Sequence, residues 1–258
     1  MYPELFHIGG YTVFSYGFFI MFGVFLAFMF FYINRKEINL NVDQISELFL
    51  WCFASVFVGG KVFYFLEKPL YYLGHIGEFF QNMGQGFVFY GSFIFTVPTI
   101  IWWFRKNNIP VAFGFDFLAI GGALVHGFGK IGCFMAGCCH GIQCTVDVGY
   151  VFTNPKSAAN PLNVPLYPVQ LWDAFAILLI VVFMILYRKF KKFNGEIFLI
   201  YAILYGIIRF ITENYRGDES RGYVIKGVLT HSQLIAIIVI IIGFVVYVNR
   251  MRNHKITN

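Results

Sequence analysis

The sequence predicts an all-α integral membrane protein of seven transmembrane helices, with its amino terminus outside and its carboxyl terminus in the cytoplasm. Three observations predict it. Of 258 residues, 59% are hydrophobic and 12% charged, with a mean hydropathy of +0.69, whereas soluble domains carry about 25% charged residues. Apolar stretches that match a bilayer core of about 30 Å, which takes about 20 helical residues, recur seven times. Short basic clusters sit at the ends of alternate stretches, as membrane topology demands. A formal charge of +6 would point to nucleic acid in a soluble chain. Here topology accounts for it, and no nucleic-acid partner is expected.

The spans are expected at 11–33, 46–66, 87–104, 112–128, 169–187, 196–213 and 231–249. The first contains FSYGFF with Tyr16. Its leader MYPELFHIGG has no basic residue and no small-residue cleavage site follows, so it reads as a span and not a cleaved signal. The second carries Lys61 in VGGKVFYF, and the third opens on Tyr90, Gly91 and Ser92. The fourth is rich in glycine and holds Asp116, expected to cap or pair locally, and His126, expected as a hydrogen-bonded core histidine. The fifth follows YPVQLWDA, the sixth ends in RFITENYRGDESRG, and the seventh runs into NRMRNHK. No internal repeat or low-complexity linker interrupts the chain. It therefore reads as one integral domain, 1–258, with small extracytoplasmic segments at about 67–86, 129–168 and 214–230.

Orientation follows from Lys and Arg, which accumulate on cytoplasmic loops. NRKE, FRKNN, YRKFKK and NRMRNHK hold eleven of the nineteen basic residues, and all four follow odd-numbered spans. The opposite loops hold Lys68, Lys156, Arg216, Arg221 and Lys226, while Lys61, Lys130 and Arg209 lie within or at the edge of spans. With the amino terminus outside, nearly all the unusual polar residues fall near the outer leaflet. That asymmetry places the functional site there.

Charged groups inside a span cost from about 2.5 kcal/mol upward and usually face the bundle interior. Arg209 and Glu213 are four residues apart on one helix face and can pair. Arg216 extends that face by a turn and sets two guanidiniums against one carboxylate, an arrangement suited to a phosphate. Lys130 and Lys61 either snorkel to the interface or join that site. Cys52, alone in the second span, reads as an inert packed thiol.

The stretch GFGKIGCFMAGCCHG holds Gly127, Gly129, Gly132, Gly137 and Gly141. Each glycine in a helix costs about 1 kcal/mol relative to alanine, so the segment is not expected to be helical throughout. Irregular backbone at membrane depth survives where it is buried or lines a cavity, and its N–H groups can hold an anion. Cys133, Cys138, Cys139, His140 and Cys144 form a compact set spaced C-x4-C-C-H-x3-C, which is no standard zinc spacing. In an oxidising compartment a disulfide of Cys133 or Cys138 with Cys144 is an alternative, as are a metal site and free packed thiols.

Taken in chain order, Tyr16-Gly17, Lys61 in GGKVFY, Tyr90-Gly91-Ser92, GKIGCFMAGCCHG, YPVQLWD and Arg209-x-x-x-Glu213-x-x-Arg216 together resemble the prolipoprotein diacylglyceryl transferase family. Gly129, Gly132, Phe134, Gly137 and Gly141 keep the frame of its signature, Gly-Arg-x-Gly-Asn-Phe-x-Asn-Gly-Glu-x-x-Gly. Lys130 stands for the arginine, Cys133 and Ala136 for the asparagines, Cys138 for the glutamate, and Tyr90 for a histidine. The resemblance implies transfer of diacylglycerol from phosphatidylglycerol to the lipobox cysteine of a prolipoprotein, without cofactor or metal, in the bacterial inner (cytoplasmic) membrane. Its partners would be phosphatidylglycerol, the prolipoprotein signal peptide and membrane lipids. It implies a catalytic role for Arg209, Lys130, Glu213 and Tyr90. Substrate binding would fall to Tyr16, Arg216, Lys61, Gly91, Gly141, Cys133 and Cys138. The competing class is a redox or metal-handling membrane protein on the same scaffold, using Cys133, Cys138, Cys139, His140 and Cys144. A small-anion transporter is disfavoured, since no span shows the paired broken helices of one.

Overall fold

The computed structural model describes residues 1–81, 88–217, 222–225 and 228–257. Residue 87, where the third span was expected to begin, and the loop residues Arg221 and Lys226 lie outside them. The chain opens with an antiparallel ribbon of β1 (Glu4–Ile8) and β2 (Tyr11–Phe14). Gly9 and Gly10, at φ 52 and 86, make its turn, a backbone path that glycine takes without steric cost. Helix α1 (Ser15–Ile33) follows, its first residue tied back by N–H and hydroxyl bonds to the Pro3 carbonyl.

Next come the short α2 (Arg35–Ile38) and α3 (Val42–Glu67), the latter opened by a reciprocal cap between Asn41 and Gln44. Two short helices follow, α4 (Pro69–Gly74) and α5 (Ile76–Gln81), and then α6 (Phe89–Lys106) and α7 (Val111–Ala136). Strands β3 (Tyr150–Val151) and β4 (Pro165–Leu166) pair in the long segment before α8 (Val169–Tyr187). Helix α9 (Glu196–Glu213), the ribbon of β5 (Tyr223–Ile225) and β6 (Leu229–Thr230), and α10 (His231–Thr257) complete the chain.

Among the described residues, five helical stretches are long and apolar enough to cross a membrane: Ser15–Ile33, Val42–Glu67, Val111–Ala136, Val169–Phe190 and His231–His254. The other two expected spans are helices of 18 residues each, α6 and α9. Helix α6 ends in Arg105 and Lys106, and α9 carries Glu196, Arg209 and Glu213. Large apolar side chains such as Phe175, Leu186 and Phe244 point outward, while Gln170, Asp173, Glu196 and Glu213 are buried. Apolar outside and polar inside is what a lipid solvent selects.

The chain divides into two compact units, residues 31–114 and residues 1–30 with 115–258. In the first, α3 and α6 cross where Gly59 meets Gly91. A Cβ on Gly59 would lie 2.7 Å from Phe95 Cβ and against the Gly91 carbonyl, so small residues let the backbones touch. Trp103, Phe104, Ile45 and Leu48 fill its core.

In the second unit, α1 lies along α7. A Cβ on Gly23 would stand 2.8 Å from Val125 Cα, and one on Gly132 would stand 3.1 Å from the Tyr16 carbonyl oxygen. Gly127 admits Leu178 of α8 in the same way. The glycine-rich stretch is not helical throughout, as expected, but its break comes later than the expected span end at 128. Helix α7 continues through Gly127, Gly129 and Gly132 to Ala136 and breaks only at Gly137, φ 84. Tight packing against α1 and α8 offsets the intrinsic cost of glycine. Beyond the break, Phe152, Ala159 and Leu166 form a small core with Phe134 and Tyr150 against it.

Asp116 proves structural, as expected, though its partners are remote in sequence. Its carboxylate takes the Lys191 ammonium at 2.9 Å and the backbone N–H groups of Gly195 and Phe198 at 2.9 and 3.2 Å. It thereby fastens the first turn of α9, where orphan donors need an acceptor. His126 is the expected hydrogen-bonded core histidine, 2.9 Å from the Tyr201 hydroxyl.

Candidate functional site

One set of buried polar residues of the larger unit stands toward the end of α7, the starts of α8 and α10, and the end of α9. Lys130 lies inside α7, six residues before its end, and not beyond it. Its ammonium donates to Asp173 Oδ2 at 2.6 Å, with Lys130 11% exposed and Asp173 fully buried. Snorkelling is therefore overturned: an acid in the first turns of α8 holds the lysine inside. The other carboxylate oxygen of Asp173 meets no hydrogen-bond donor among the described residues. One turn earlier on α8, Gln170 Nε2 donates to the Cys138 carbonyl at 2.8 Å and ties the cysteine turn to that helix.

Arg209 Nη2 reaches Glu213 Oε2 at 2.5 Å and Ser232 Oγ at 3.2 Å. Arg216 Nε stands 4.0 Å from the same carboxylate, and its side chain is 3% exposed. Glu213 also accepts from the Thr230 hydroxyl at 3.2 Å. Thr230 and Gln233 cap each other, and Gln233 Nε2 donates to Asn214. The end of α9 is thus locked to the start of α10, which fixes both guanidiniums. His126 lies within electrostatic reach of Lys130, Asp173 and Arg209, one side chain that feels both cations.

The expected five-residue metal or redox set is divided. Cys133, Cys138 and Cys139 come together, their sulfurs all within 4.8 Å of one another. Gly137 and Cys139, at φ 84 and 62, turn the chain back on the helix end. Both nitrogens of His140 are engaged by backbone: Nδ1 donates to the Gly141 carbonyl at 2.8 Å, and Nε2 accepts from Asn160 N–H at 3.2 Å. The Cys144 backbone N–H pairs with the Pro165 carbonyl, and its sulfur packs where a Cβ on Gly149 would sit. All five cysteines are free thiols, so of the alternatives open at the sequence level the cross-link to Cys144 is not formed. Hydrogen bonds from the Cys133 and Cys138 thiols, with the Arg216 guanidinium alongside, hold the Cys139 thiol well below the usual thiol range. Tyr16 lies within electrostatic reach of all three thiols.

Gly141 forms a backbone bridge with Arg216. A Cβ there would collide with Tyr167 and the Tyr215 carbonyl, so its glycine serves the crossing of these strands of chain. Lys61, Tyr90 and Gly91 belong to the other unit. Lys61 is 4% exposed, 5.3 Å from the Tyr64 ring, on a groove of about 340 Å³ lined by Phe57, Phe65, Leu66 and Ile76. Tyr90 is exposed, and Gly91 sits in the α3–α6 crossing. Sequence reasoning quoted Gln170 and Asp173 within YPVQLWD without giving either a role, and did not name Ser232. The available signal was an acid and an amide three residues apart at the mouth of an otherwise apolar span.

The sequence pattern of the family described as prolipoprotein diacylglyceryl transferase matches residues 3–249. The chain belongs to this family. A protein of Clostridium tetani named phosphatidylglycerol–prolipoprotein diacylglyceryl transferase is 33% identical over 253 residues, covering 98% of this chain and 99% of its own. A second, from Clostridium perfringens and numbered 2 under the same name, is 33% identical over 251 residues, covering 97% and 96%. One from Finegoldia magna is 30% identical over 246 residues, covering 94% and 93%. These matches run nearly the length of the chain, so the cysteine turn, the α9 triad and both ion pairs lie within the matched residues.

Proposed function

We propose that this chain is a transferase of lipoprotein biosynthesis that moves diacylglycerol from phosphatidylglycerol to the cysteine thiol of a prolipoprotein. The observation that carries it is the family match over residues 3–249, together with relatives so named along nearly their full length. The buried cations supply the chemistry. The acceptor sulfur attacks the glyceryl carbon that bears the phosphate ester, the carbon–oxygen bond breaks, and glycerol phosphate leaves. Negative charge grows on the departing phosphate, and donors placed in advance stabilise it. Arg209 and Lys130 are the donors assigned to it. Glu213 and Asp173 hold them in position through the 2.5 and 2.6 Å contacts, and Arg216 completes the charge. Tyr16, beside the thiols, is placed to hydrogen-bond the headgroup.

In this reading α6 and α9 join the five long apolar stretches to make seven spans. The amino terminus is outside, and the chain resides in the bacterial inner membrane. The basic clusters at the ends of the odd-numbered spans support that orientation. It puts the ends of α7 and α9 and the starts of α8 and α10 at the outer leaflet, where phosphatidylglycerol and an exported signal peptide meet.

The test is transfer of labelled diacylglycerol from phosphatidylglycerol to a lipobox peptide by the purified protein. Arg209→Ala should lower the rate about 10²–10³-fold, the cost of one donor to a developing anion. No product from the wild type, or full activity in Arg209→Ala, defeats the assignment.

A further inference from the structure

We propose that Cys133, Cys138 and Cys139 bind one divalent, thiophilic metal ion of the zinc class. The fourth coordination position of that ion receives the acceptor cysteine thiol. The second half of this inference rests on the transferase reading; the metal site stands without it. The full spacing C-x4-C-C-H-x3-C matches no standard zinc pattern, because Cys138 and Cys139 are adjacent in the chain. The fold removes that objection. Cys133 is in the last turn of α7 and the chain reverses at Gly137, φ 84, so Cys138 and Cys139 return to it.

The geometry fits the ion. Metal–sulfur bonds of about 2.3 Å put thiolates about 3.8–4.0 Å apart in tetrahedral or trigonal sites. Here all three sulfurs lie within 4.8 Å of one another, so closure needs shifts below about 1 Å. The backbone is also set for it. Cys139 holds φ 62, a left-handed conformation that costs a non-glycine residue roughly 1–2 kcal/mol and that recurs at ligand clamps.

Charge selects the valence. Three thiolates around a divalent ion leave one net negative charge, and the same three around a monovalent ion would leave two. The Arg216 guanidinium lies beside Cys139, buried to 3% exposure and held by the backbone bridge to Gly141. The neighbouring donors do not complete the shell. His140 uses both nitrogens on backbone groups, and Cys144 packs against Gly149. Three protein ligands with an open fourth position is the arrangement of a reactive zinc site and not of a closed structural one.

The open position suits this reaction because the nucleophile is a thiol. A thiol bound to such an ion gives up its proton, and the thiolate is the attacking form. The acceptor proton leaves on coordination. The sulfur electron pair forms the carbon–sulfur bond as the carbon–oxygen bond to phosphate breaks. Glycerol phosphate departs with that electron pair and takes up a proton. No electron changes hands, and the ion keeps its valence throughout.

The test uses the full chain in lipid nanodiscs, reduced, stripped of metal and titrated with Co²⁺ alone. Thiolate charge-transfer and visible bands should grow to one equivalent. They should be lost in Cys133→Ser, Cys138→Ser and Cys139→Ser, and unchanged in Cys52→Ser and Cys144→Ser. A wild type that takes up no Co²⁺, or serine variants that bind it as before, overturns the site. On wild-type protein, which needs no variant to fold, a lipobox peptide should convert the three-sulfur spectrum to a four-sulfur one, and the same peptide with serine for cysteine should not. Identical spectra with both peptides overturn the fourth-ligand role. One equivalent of bound Co²⁺ with no diacylglyceryl product in the zinc-loaded enzyme defeats the transferase reading and leaves the metal site standing.

Discussion

Asp173→Asn separates the two accounts of Lys130 most cleanly. If the lysine merely snorkelled, its ammonium would sit in water or headgroups, and removing a carboxylate would change stability by about 0–1 kcal/mol, as for exposed pairs. The structure instead puts the ammonium 2.6 Å from a fully buried carboxylate, with the lysine side chain 11% exposed. Breaking one side of such a pair leaves a buried charge uncompensated, at a cost of about 3–5 kcal/mol. For a chain of this size each kcal/mol moves the thermal midpoint by about 2–4 °C, so the loss should be roughly 6–20 °C. Thermal unfolding in nanodiscs, followed by tryptophan fluorescence, reads it directly. The double variant Lys130→Met/Asp173→Leu removes both charges and should recover most of the loss, because an apolar pair replaces a buried ion pair at little cost. A midpoint for Asp173→Asn within about 3 °C of wild type, or a double variant no better than the single, would refute the buried pairing.

The helix crossings give a paired prediction. Gly23→Leu should destabilise by about 1–3 kcal/mol, because its Cβ meets Val125 Cα at 2.8 Å. Gly129→Ala should stabilise by about 0.5–1 kcal/mol, because its Cβ finds only Ile20 Cγ1 at 3.8 Å; denaturation midpoints compare the two. Asp116→Asn should cost about 3 kcal/mol or more and speed amide hydrogen exchange at Gly195 and Phe198, the two N–H groups its carboxylate accepts. Uniform exchange along α9 in that variant would refute the fastening role.

Local features were legible in the sequence. Apolar length located the helices, and the spacing of Arg209 and Glu213 located their contact, since residues four apart on a helix meet wherever the helix lies. The convergence of three thiols was half visible: crowding showed, and membership did not. His140 and Cys144 follow Cys139 within five residues, and the left-handed turns at Gly137 and Cys139 are what bring Cys138 and Cys139 back to the helix end. The partnership of Lys130 with Asp173 spans 43 residues and depends on α7 lying against α8. No periodicity encodes it. The glycines of α7 announced a break but not its place, for a related reason. Their intrinsic cost can be read from sequence, but the helix that fits against them cannot. The amino-terminal ribbon escaped notice because its two short strands carry no span-length apolar signal.

The backbone rung of Gly141 beside Arg216 has a consequence for the two proposed binding sites. The cysteine turn lies two residues upstream of that rung, and the guanidinium springs from its other side. The sulfurs and the arginine are therefore spaced by main chain and not by side-chain contacts alone. Under the proposed reaction, the seat of the acceptor and the seat of the phosphate share that one piece of backbone.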